Sequence, residues 1–222
     1  MIQGIGRPKK GYHLQDGTKV PSVTTIISRF KDSGGLIHWA WKEGTEGRDY
    51  REPKDAAASA GSAAHAAVDA HIHGRPWDWN AVPDETVRTK AMTAYSAFLE
   101  WQSQTKLEVT HTEMPLVSER HGFGGTFDAI TVGETKRRAM GDWKSSGAIY
   151  PEYLIHLAAY GHLWQENFPA EPLEGGYHLL RFDKEYGDFT HKWWASLYTA
   201  LEAFLHLRAL YELEKELKQR TK

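Results

Sequence analysis

Two strand-like segments, joined by a short basic turn, carry a carboxylate where a core side chain is expected. The segments are "GGTFDAITV" and "AMGDWKSS", and the carboxylates are Asp128 and Asp142. Side chains alternate between the faces of a strand, so Asp142 and Lys144 point to one face and Trp143 to the other. If "GETKRR" is the connecting turn, the segments form an antiparallel hairpin. Asp128 then lies on the strand next to Asp142.

Carboxylates that converge from neighbouring strands favour a hard divalent cation such as Mg²⁺ or Mn²⁺, which prefers oxygen ligands. A lysine beside such a site can offset the charge that develops on a phosphate or orient a nucleophilic water. A second interpretation stays open, because an Asp–Lys pair on a strand is commonly a surface ion pair that contributes about 0–1 kcal/mol. The apolar neighbours, and Gly124–Gly125, which permit close backbone approach to a ligand, favour the metal site.

Composition limits the kinds of site and environment that the chain can have. Its 222 residues include no cysteine, which excludes disulfides, thiolate zinc sites and cysteine-ligated iron–sulfur clusters. The net charge of −2 differs from that of many nucleic-acid-binding proteins, and Lys9–Lys10 and Lys136–Arg137–Arg138 are interpreted as solvated loops. The N-terminus lacks the apolar region of a signal peptide, and no stretch has the length of a membrane span. We therefore expect a cytoplasmic protein without a membrane partner.

Helical and strand patterns alternate along the rest of the chain. "YHLQDGTKV" predicts a hairpin, and helices are predicted from "PSVTTIISRF", from "GLIHWAWKEG" (ending at Gly44), and over about 55–73, 83–106 and 151–167. The segments "HTEMPLVS", "GFGGTFDAITV", "AMGDWKS", "EGGYHLLRF" and "GDFTHKW" predict strands, and a long helix ends the chain. This order predicts an α/β protein with a mixed central sheet flanked by helices, N-terminal helical decoration and a long C-terminal helix.

Five motifs follow one another along the chain: "PSVTTII", "GSAAH", "GFGGTFDAI", "GDWKSS" and "HLAAYG". In this order they resemble the motifs of the PD-(D/E)XK nucleases, in particular the RecB-type exonuclease branch. "GFGGTFDAI" and "GDWKSS" are similar to the hairpin that carries the family's active site, and "GSAAH" resembles its G-x-x-x-H helix. "HLAAYG", after "YPEYLI", resembles the Q-x-x-x-Y helix, with His156 in place of the Gln. "PSVTTII" is similar to a motif of phage exonucleases and of the mitochondrial genome maintenance exonuclease. The resemblance spans about residues 21–160.

This resemblance implies one nuclease domain over 1–222 with a restriction-endonuclease-like core. The helical part covers about 21–106, and the core covers about 107–222 together with the helix of His65. The resemblance further implies that Mg²⁺ or Mn²⁺ is bound by His65, Asp128, Asp142 and the backbone carbonyl of Trp143. Asp128, Asp142 and Lys144 would then be the catalytic residues.

Further residues have two interpretations each. Glu113 resembles an acid that some relatives use for a second metal, but it could equally be an ordinary strand-edge glutamate. His71 and His73, close to His65 in sequence, could mimic a metal-binding pair, but they are interpreted as solvent-facing residues at a helix end. Trp39 and Trp41 could stack on bases of single-stranded DNA, although most aromatic residues at helical spacing belong to a core.

Side chains expected to contact DNA come from three segments that flank the proposed site. A helix N-terminus donates hydrogen bonds to phosphates, although helix capping alone would explain one of its hydroxyl residues. The segment after the lysine strand and one face of the following helix supply the remainder. The set is Ser22, Thr24, Thr25, Ser145, Ser146, Tyr153, His156 and Tyr160.

The resemblance implies a divalent-metal-dependent DNA exonuclease without an iron–sulfur cluster, of bacterial or phage origin. It would act on DNA ends, prefer single strands, serve replication, recombination or repair, and work with a recombination or replication protein. Two alternatives remain: a structure-specific or flap endonuclease with the same site, and a nuclease-like module that only binds DNA. The intact set of His65, Asp128, Asp142 and Lys144 argues against the second alternative.

Overall fold

The computed structural model describes residues 2–3 and 6–221, and within them six strands form one central mixed sheet. The strands are β1 Ile2–Gln3, β4 Glu108–Ser118, β5 Phe123–Val132, β6 Arg138–Lys144, β7 Gly176–Phe182 and β8 Phe189–Trp194. Their order is β1-β4-β5-β6-β7-β8, and β2 Tyr12–His13 with β3 Lys19–Val20 forms a separate hairpin. The pairs β1–β4 and β6–β7 are parallel and the others antiparallel. The predicted hairpins and the five predicted strands are confirmed.

The helices within the described residues also follow the predicted order. They are α1 Val23–Phe30, α2 Gly34–Thr45, α3 Arg51–Ile72, α4 Glu85–Gln104, α5 Pro151–Asn167 and α6 Tyr198–Arg220. α3 begins before the predicted Asp55, because Pro53 is tolerated in a first turn, where its missing N–H would have no partner. α2 continues one residue past Gly44, so that glycine does not end it. None of the described helices is long and apolar enough to cross a membrane.

Helices cover both faces of the sheet, which confirms the predicted α/β class. On one face α1, α5 and α6 bury a core that includes Ile26, Leu157 and Phe204, together with Phe127 and Met140 of the sheet. On the other face α3 and α4 pack through a second cluster around Trp143, which stacks edge-on against Trp101 and near Phe182. The side chain of Trp143 thus lies on the opposite face from Asp142 and Lys144, as predicted.

The β2–β3 hairpin packs against β5 at a place where glycine is required. A Cβ atom on Gly124 would lie 2.4 Å from the ring of Tyr12, and the Tyr12 hydroxyl is 2.9 Å from Thr126 Oγ1. Ser22, just before α1, forms an isolated parallel bridge with Gly124. The N-terminal hairpin and the start of α1 are therefore held next to the end of β5 that precedes Asp128.

Candidate metal centre

The register of β4, β5 and β6 aligns three acidic residues across neighbouring strands. Thr112 pairs with Ala129 and Met114 with Phe127, so Glu113 of β4 lies opposite Asp128 of β5. Ala129 in turn pairs with Gly141, and the next positions along these two strands are Asp128 and Asp142. The predicted antiparallel hairpin and the predicted position of Asp128 beside Asp142 are confirmed.

Asp128 occupies the centre of this row and is fixed by a backbone hydrogen bond. The Trp143 N–H donates to its Oδ2 at 2.7 Å, and its Oδ1 is 4.0 Å from Nδ1 of His65. Burial raises the pKa of Asp128, although the positive charge of Lys144 and the Trp143 hydrogen bond oppose this increase. Asp128 is thus a positioned carboxylate with one oxygen directed at the imidazole of α3.

His65 reaches the sheet because α3 approaches the end of β6 very closely. A Cβ atom on Gly61, one turn before His65, would lie 2.7 Å from Oγ of Ser145, so only glycine fits there without movement. Burial, helped by the charge of Lys144 and opposed by Asp142, lowers the pKa of His65 to about 4. His65 is therefore neutral near pH 7, which is the form of imidazole that binds metals.

Glu113 is held in an unusual backbone conformation. Its φ of +48° lies in the left-handed region that residues with a Cβ seldom adopt, and its carbonyl accepts a hydrogen bond from the Gly6 N–H at 2.9 Å. Burial, with the nearby charges of Asp128 and Asp69, raises its pKa to about 8. Strain of this kind costs on the order of 1–3 kcal/mol and is concentrated at functional sites.

The predicted exposure of His71 and His73 is wrong. Nε2 of His73 is 2.7 Å from Oγ1 of Thr112, the neighbour of Glu113, and 3.4 Å from Asp69. His71 lies between Gln102 and Tyr95 of α4, 2.9 Å from each. Both histidines face inward because α3 continues to Ile72 against α4 and β4, and they brace the strand that carries Glu113.

Asp142 and Lys144 form a buried ion pair beside the row of acids. The Asp142 side chain is 1 % exposed, and its Oδ2 lies against the Lys144 ammonium group. Burial disfavours the charge of Lys144, but Asp142 and Asp128 outweigh it and raise the pKa of the lysine. Lys144 Nζ also lies 5.4 Å from the ring centre of Tyr153 on α5. The lysine is therefore charged and held in place on both sides.

The donor atoms on α3, β4 and β5 fit a divalent cation. His65, Glu113 and Asp128 each offer one ligand atom, and these atoms lie within 4.8 Å of one another. One imidazole nitrogen and two carboxylates suit Mn²⁺ or Mg²⁺, and a cation would relieve the repulsion between the acids. Glu113, which the sequence left between two interpretations, thus groups with His65 and Asp128. Asp142 is directed to Lys144, although its side chain also contacts that of Asp128.

A cleft of about 540 Å³ opens over these ligand atoms. Of the residues expected to contact DNA, four line this cleft, namely Ser22, Thr24, Ser145 and Tyr160. Thr25 faces an adjoining groove, and Ser146 donates a hydrogen bond to the carbonyl of Ala148 at 2.7 Å. Tyr153 and His156 lie on the face of α5 that covers the Asp142–Lys144 pair.

Several of these polar groups already have protein partners. Ser22 caps α1 by accepting a hydrogen bond from the Thr25 N–H at 3.0 Å. Tyr160 is buried against Gly125 and within hydrogen-bonding reach of Thr24. His156 shares a hydrogen bond through Nδ1 with the Glu152 carbonyl at 3.0 Å, and burial lowers its pKa. Their contacts with DNA therefore stay predictions.

Sequence patterns did not identify every residue of the cleft. Arg7 and Tyr12 line it from the N-terminal segment, together with Thr126 of β5. Arg7 and Tyr12 lie beside the cleft because the β2–β3 hairpin packs against β5, and no local sequence pattern specifies this packing. The default assignment of Trp41 to a core is wrong, because it is 63 % exposed and no residue of α2 is buried.

No protein-family model matches the chain, and no curated protein matches it significantly. Among solved structures, it is similar to a crystal structure from Eubacterium rectale described as a "Putative exonuclease". The two share 11 % sequence identity with a TM-score of 0.41, over 90 % of this chain and 74 % of the other. A similarity this distant transfers neither residues nor activity, so the site is interpreted from its own geometry.

Proposed function

We propose that the protein is a divalent-metal-dependent DNA exonuclease of the PD-(D/E)XK superfamily. One observation carries the proposal: His65, Glu113 and Asp128 converge within 4.8 Å in an open cleft, next to the buried Asp142–Lys144 pair. Metal ligands in an open cleft, with a fixed cation beside them, suit the cleavage of a phosphodiester, whose transition state gains negative charge. The RecB-type motifs noted in the sequence converge on this cleft.

The residues of the proposed site divide into metal ligands and one cationic group, Lys144. His65, Glu113 and Asp128 hold Mg²⁺ or Mn²⁺, with Asp142 and the Trp143 carbonyl as further ligands in the arrangement that the family resemblance implies. A bound divalent ion would polarise the phosphoryl oxygen and lower the pKa of a bound water.

Lys144 acts beside the metal ligands. Asp142 and the Tyr153 ring fix its ammonium group, which is therefore oriented before substrate arrives. Its charge offsets the negative charge that develops on the phosphate during cleavage, and it orients the attacking water. Interactions that exist only in the transition state raise the rate without tightening substrate binding.

Digestion of four DNA substrates tests the proposal. End-labelled linear and covalently closed circular DNA, each single- and double-stranded, are incubated with Mg²⁺, Mn²⁺ or EDTA. We expect metal-dependent release of nucleotides from linear single strands and no reaction with EDTA. Rapid cutting of closed single-stranded circles would instead indicate an endonuclease, and no cleavage under any condition would contradict the proposal.

A further inference from the structure

We propose that a basic groove next to the metal cleft binds the phosphate backbone of the DNA strand that extends beyond the cleaved bond. The groove has a volume of about 910 Å³ and lies between the β2–β3 hairpin and α6. This inference rests on the proposed function, because the strand bound in the groove is the continuation of the substrate in the cleft.

The walls of the groove concentrate positive charge on a chain whose net charge is −2. Six basic side chains line it, against one carboxylate, that of Glu212. The six are Arg7, Lys9, Lys10, Lys19, Arg208 and Lys215. A concave surface of one sign focuses the electrostatic field and attracts a polyanion. The groove therefore fits a chain of phosphates.

Four of these six cations have no carboxylate partner among the described residues. Among the residues that the structure describes, Arg7, Lys9, Lys10 and Lys19 form no ion pair, and all four are exposed. Other cations at this end of the molecule are paired, as Arg29 is with Glu214 and Lys31 with Glu152. The interpretation of Lys9–Lys10 as an ordinary solvated loop does not explain this clustering along a groove.

The groove and the metal cleft are continuous. Arg7, Tyr12 and Ser22 line both, and Tyr12 is fixed at the boundary by its hydrogen bond to Thr126. A strand whose scissile phosphate lies at His65 and Asp128 can therefore pass Arg7 and enter the groove.

One cation in the groove is held rigidly. Arg208 Nε donates to the Gly122 carbonyl at 3.0 Å, and its Nη1 lies 3.2 Å from Glu212. A Cβ atom on Gly122 would lie 3.1 Å from Arg208 Nη2, so the loop before β5 packs directly on the guanidinium. A fixed guanidinium loses little entropy on binding a phosphate.

The test compares two triple variants of the full chain with equal changes in charge. Lys9→Gln/Lys10→Gln/Lys19→Gln removes unpaired cations of the groove. Lys106→Gln/Lys136→Gln/Lys192→Gln removes exposed lysines elsewhere, including one on β8 at the far edge of the sheet. Binding of a fluorescent 30-nucleotide single strand is measured by anisotropy in Ca²⁺ across a range of salt concentrations.

We expect the groove variant to bind the 30-mer about 10–100-fold more weakly at 0.1 M salt. The slope of the logarithm of its binding constant against the logarithm of the salt concentration should be smaller in magnitude by about 2. The control variant should bind like the parent. Cleavage of the p-nitrophenyl ester of thymidine 5′-monophosphate, which is small enough for the cleft alone, should be equal in all three proteins. Equal binding of the 30-mer by the two variants would overturn the groove assignment even if cleavage persists.

Two further outcomes separate the groove from the proposed function and from other polyanions. If the parent cleaves neither substrate but its binding of the 30-mer depends on Lys9, Lys10 and Lys19, the proposed function fails and the groove stands. If poly-L-glutamate displaces the 30-mer at equal charge concentration, the groove recognises acidic chains in general and its assignment to DNA is overturned.

Discussion

Lys144 lies in surroundings that keep it charged and immobile, which points to a role in the transition state. Its ammonium group contacts Asp142 and faces the Tyr153 ring, so little freedom remains for it to follow a substrate. We predict that Lys144→Ala lowers the rate of cleavage about 10²–10³-fold, the typical loss when one group that stabilises developing charge is removed. DNA affinity in Ca²⁺ should change little, and Lys192→Ala is the control. A parallel loss of affinity and rate would make Lys144 a phosphate-binding residue instead.

Asp128 and Asp142 differ in their surroundings. Replacement of either should abolish cleavage, but the two variants should differ in how well they bind Mn²⁺. Asp128 groups with His65 and Glu113, whereas Asp142 pairs with Lys144. We predict that Asp128→Asn loses both cleavage and tight Mn²⁺ binding. Asp142→Asn should lose cleavage but keep more of the Mn²⁺ binding, measured by electron paramagnetic resonance. Near-parental cleavage by either variant at saturating Mg²⁺ would contradict the proposed metal site.

At the scale of elements, the approach of α3 to the end of β6 determines where His65 lies. We predict that Gly61→Ala lowers cleavage, because the new methyl group collides with Ser145 Oγ, so that either this hydroxyl, a predicted DNA contact, or the helix must move. Replacing Ser145 as well relieves the collision, so Gly61→Ala/Ser145→Ala should be close to Ser145→Ala in activity. Such a double-mutant cycle isolates the contact between two residues.

The matched control for this cycle is Gly44→Ala on α2, because a Cβ atom there meets no other group within 4 Å. Alanine in an exposed helical position stabilises a helix by about 0.5–1 kcal/mol relative to glycine, so this variant should keep full activity. If Gly61→Ala is as active as Gly44→Ala, the close approach of α3 does not govern the site.

The pairing of β7 with β8 contains two histidines that must both be neutral. Trp101 Nε1–H donates to His191 Nδ1 at 3.4 Å, which leaves His191 Nε2–H to donate to His178 Nδ1 at 2.8 Å. Burial, with a smaller effect of His191, lowers the pKa of His178 to about 4. Protonation of His178 at Nδ1 would remove its acceptor and bring two donors together.

The folded pKa of His178 is below its unfolded value, so the unfolded chain binds more protons between about pH 6.5 and 4. The contribution of neutral His178 to the free energy of unfolding is therefore complete above about pH 6.5 and is lost as the pH falls towards 4. We predict that in His178→Asn, which keeps an acceptor near Nδ1, the free energy of unfolding falls less between pH 7.5 and 4.5 than in the parent. The difference should be on the order of 2 kcal/mol. Urea unfolding at pH 7.5 and 4.5 measures it, with exposed His206→Asn as the control. If the pH dependence of the free energy of unfolding is unchanged in His178→Asn, groups other than His178 cause the loss of stability in acid.

The sequence predicted those elements whose signals are local. Pro151 marks the start of α5, and the alternation around Asp142 fixes which face of β6 carries Lys144. It could not predict the inward position of His73 or the left-handed backbone of Glu113, because both depend on packing between α3 and β4. The position of Arg7 in the cleft could not be predicted either, because it depends on interactions between distant segments.

Considered as a whole, the molecule brings its candidate metal ligands together from both a helix and the sheet. His65 belongs to α3 on one face, while Glu113 and Asp128 belong to adjacent strands of the sheet. The buried acids oppose folding when no cation is present, because burial raises the pKa values of both carboxyl groups and the charge of Asp128 adds to the increase for Glu113. The strained backbone at Glu113 opposes folding as well. A cation bound by all three residues would therefore link α3 to the sheet and stabilise the entire fold.

We accordingly predict that divalent cations raise the melting temperature in the absence of DNA. A ligand at 100 times its Kd stabilises the folded state by about 2.7 kcal/mol, and 1 kcal/mol shifts the melting temperature of a chain of this size by about 2–4 °C. Saturating Mn²⁺ should therefore raise it by about 5–10 °C, measured by differential scanning calorimetry with EDTA as the reference. Asp128→Asn and Glu113→Gln should abolish the shift, whereas Lys144→Ala should retain it, since Lys144 binds no metal. A shift that survives in Asp128→Asn would place the cation elsewhere on the molecule.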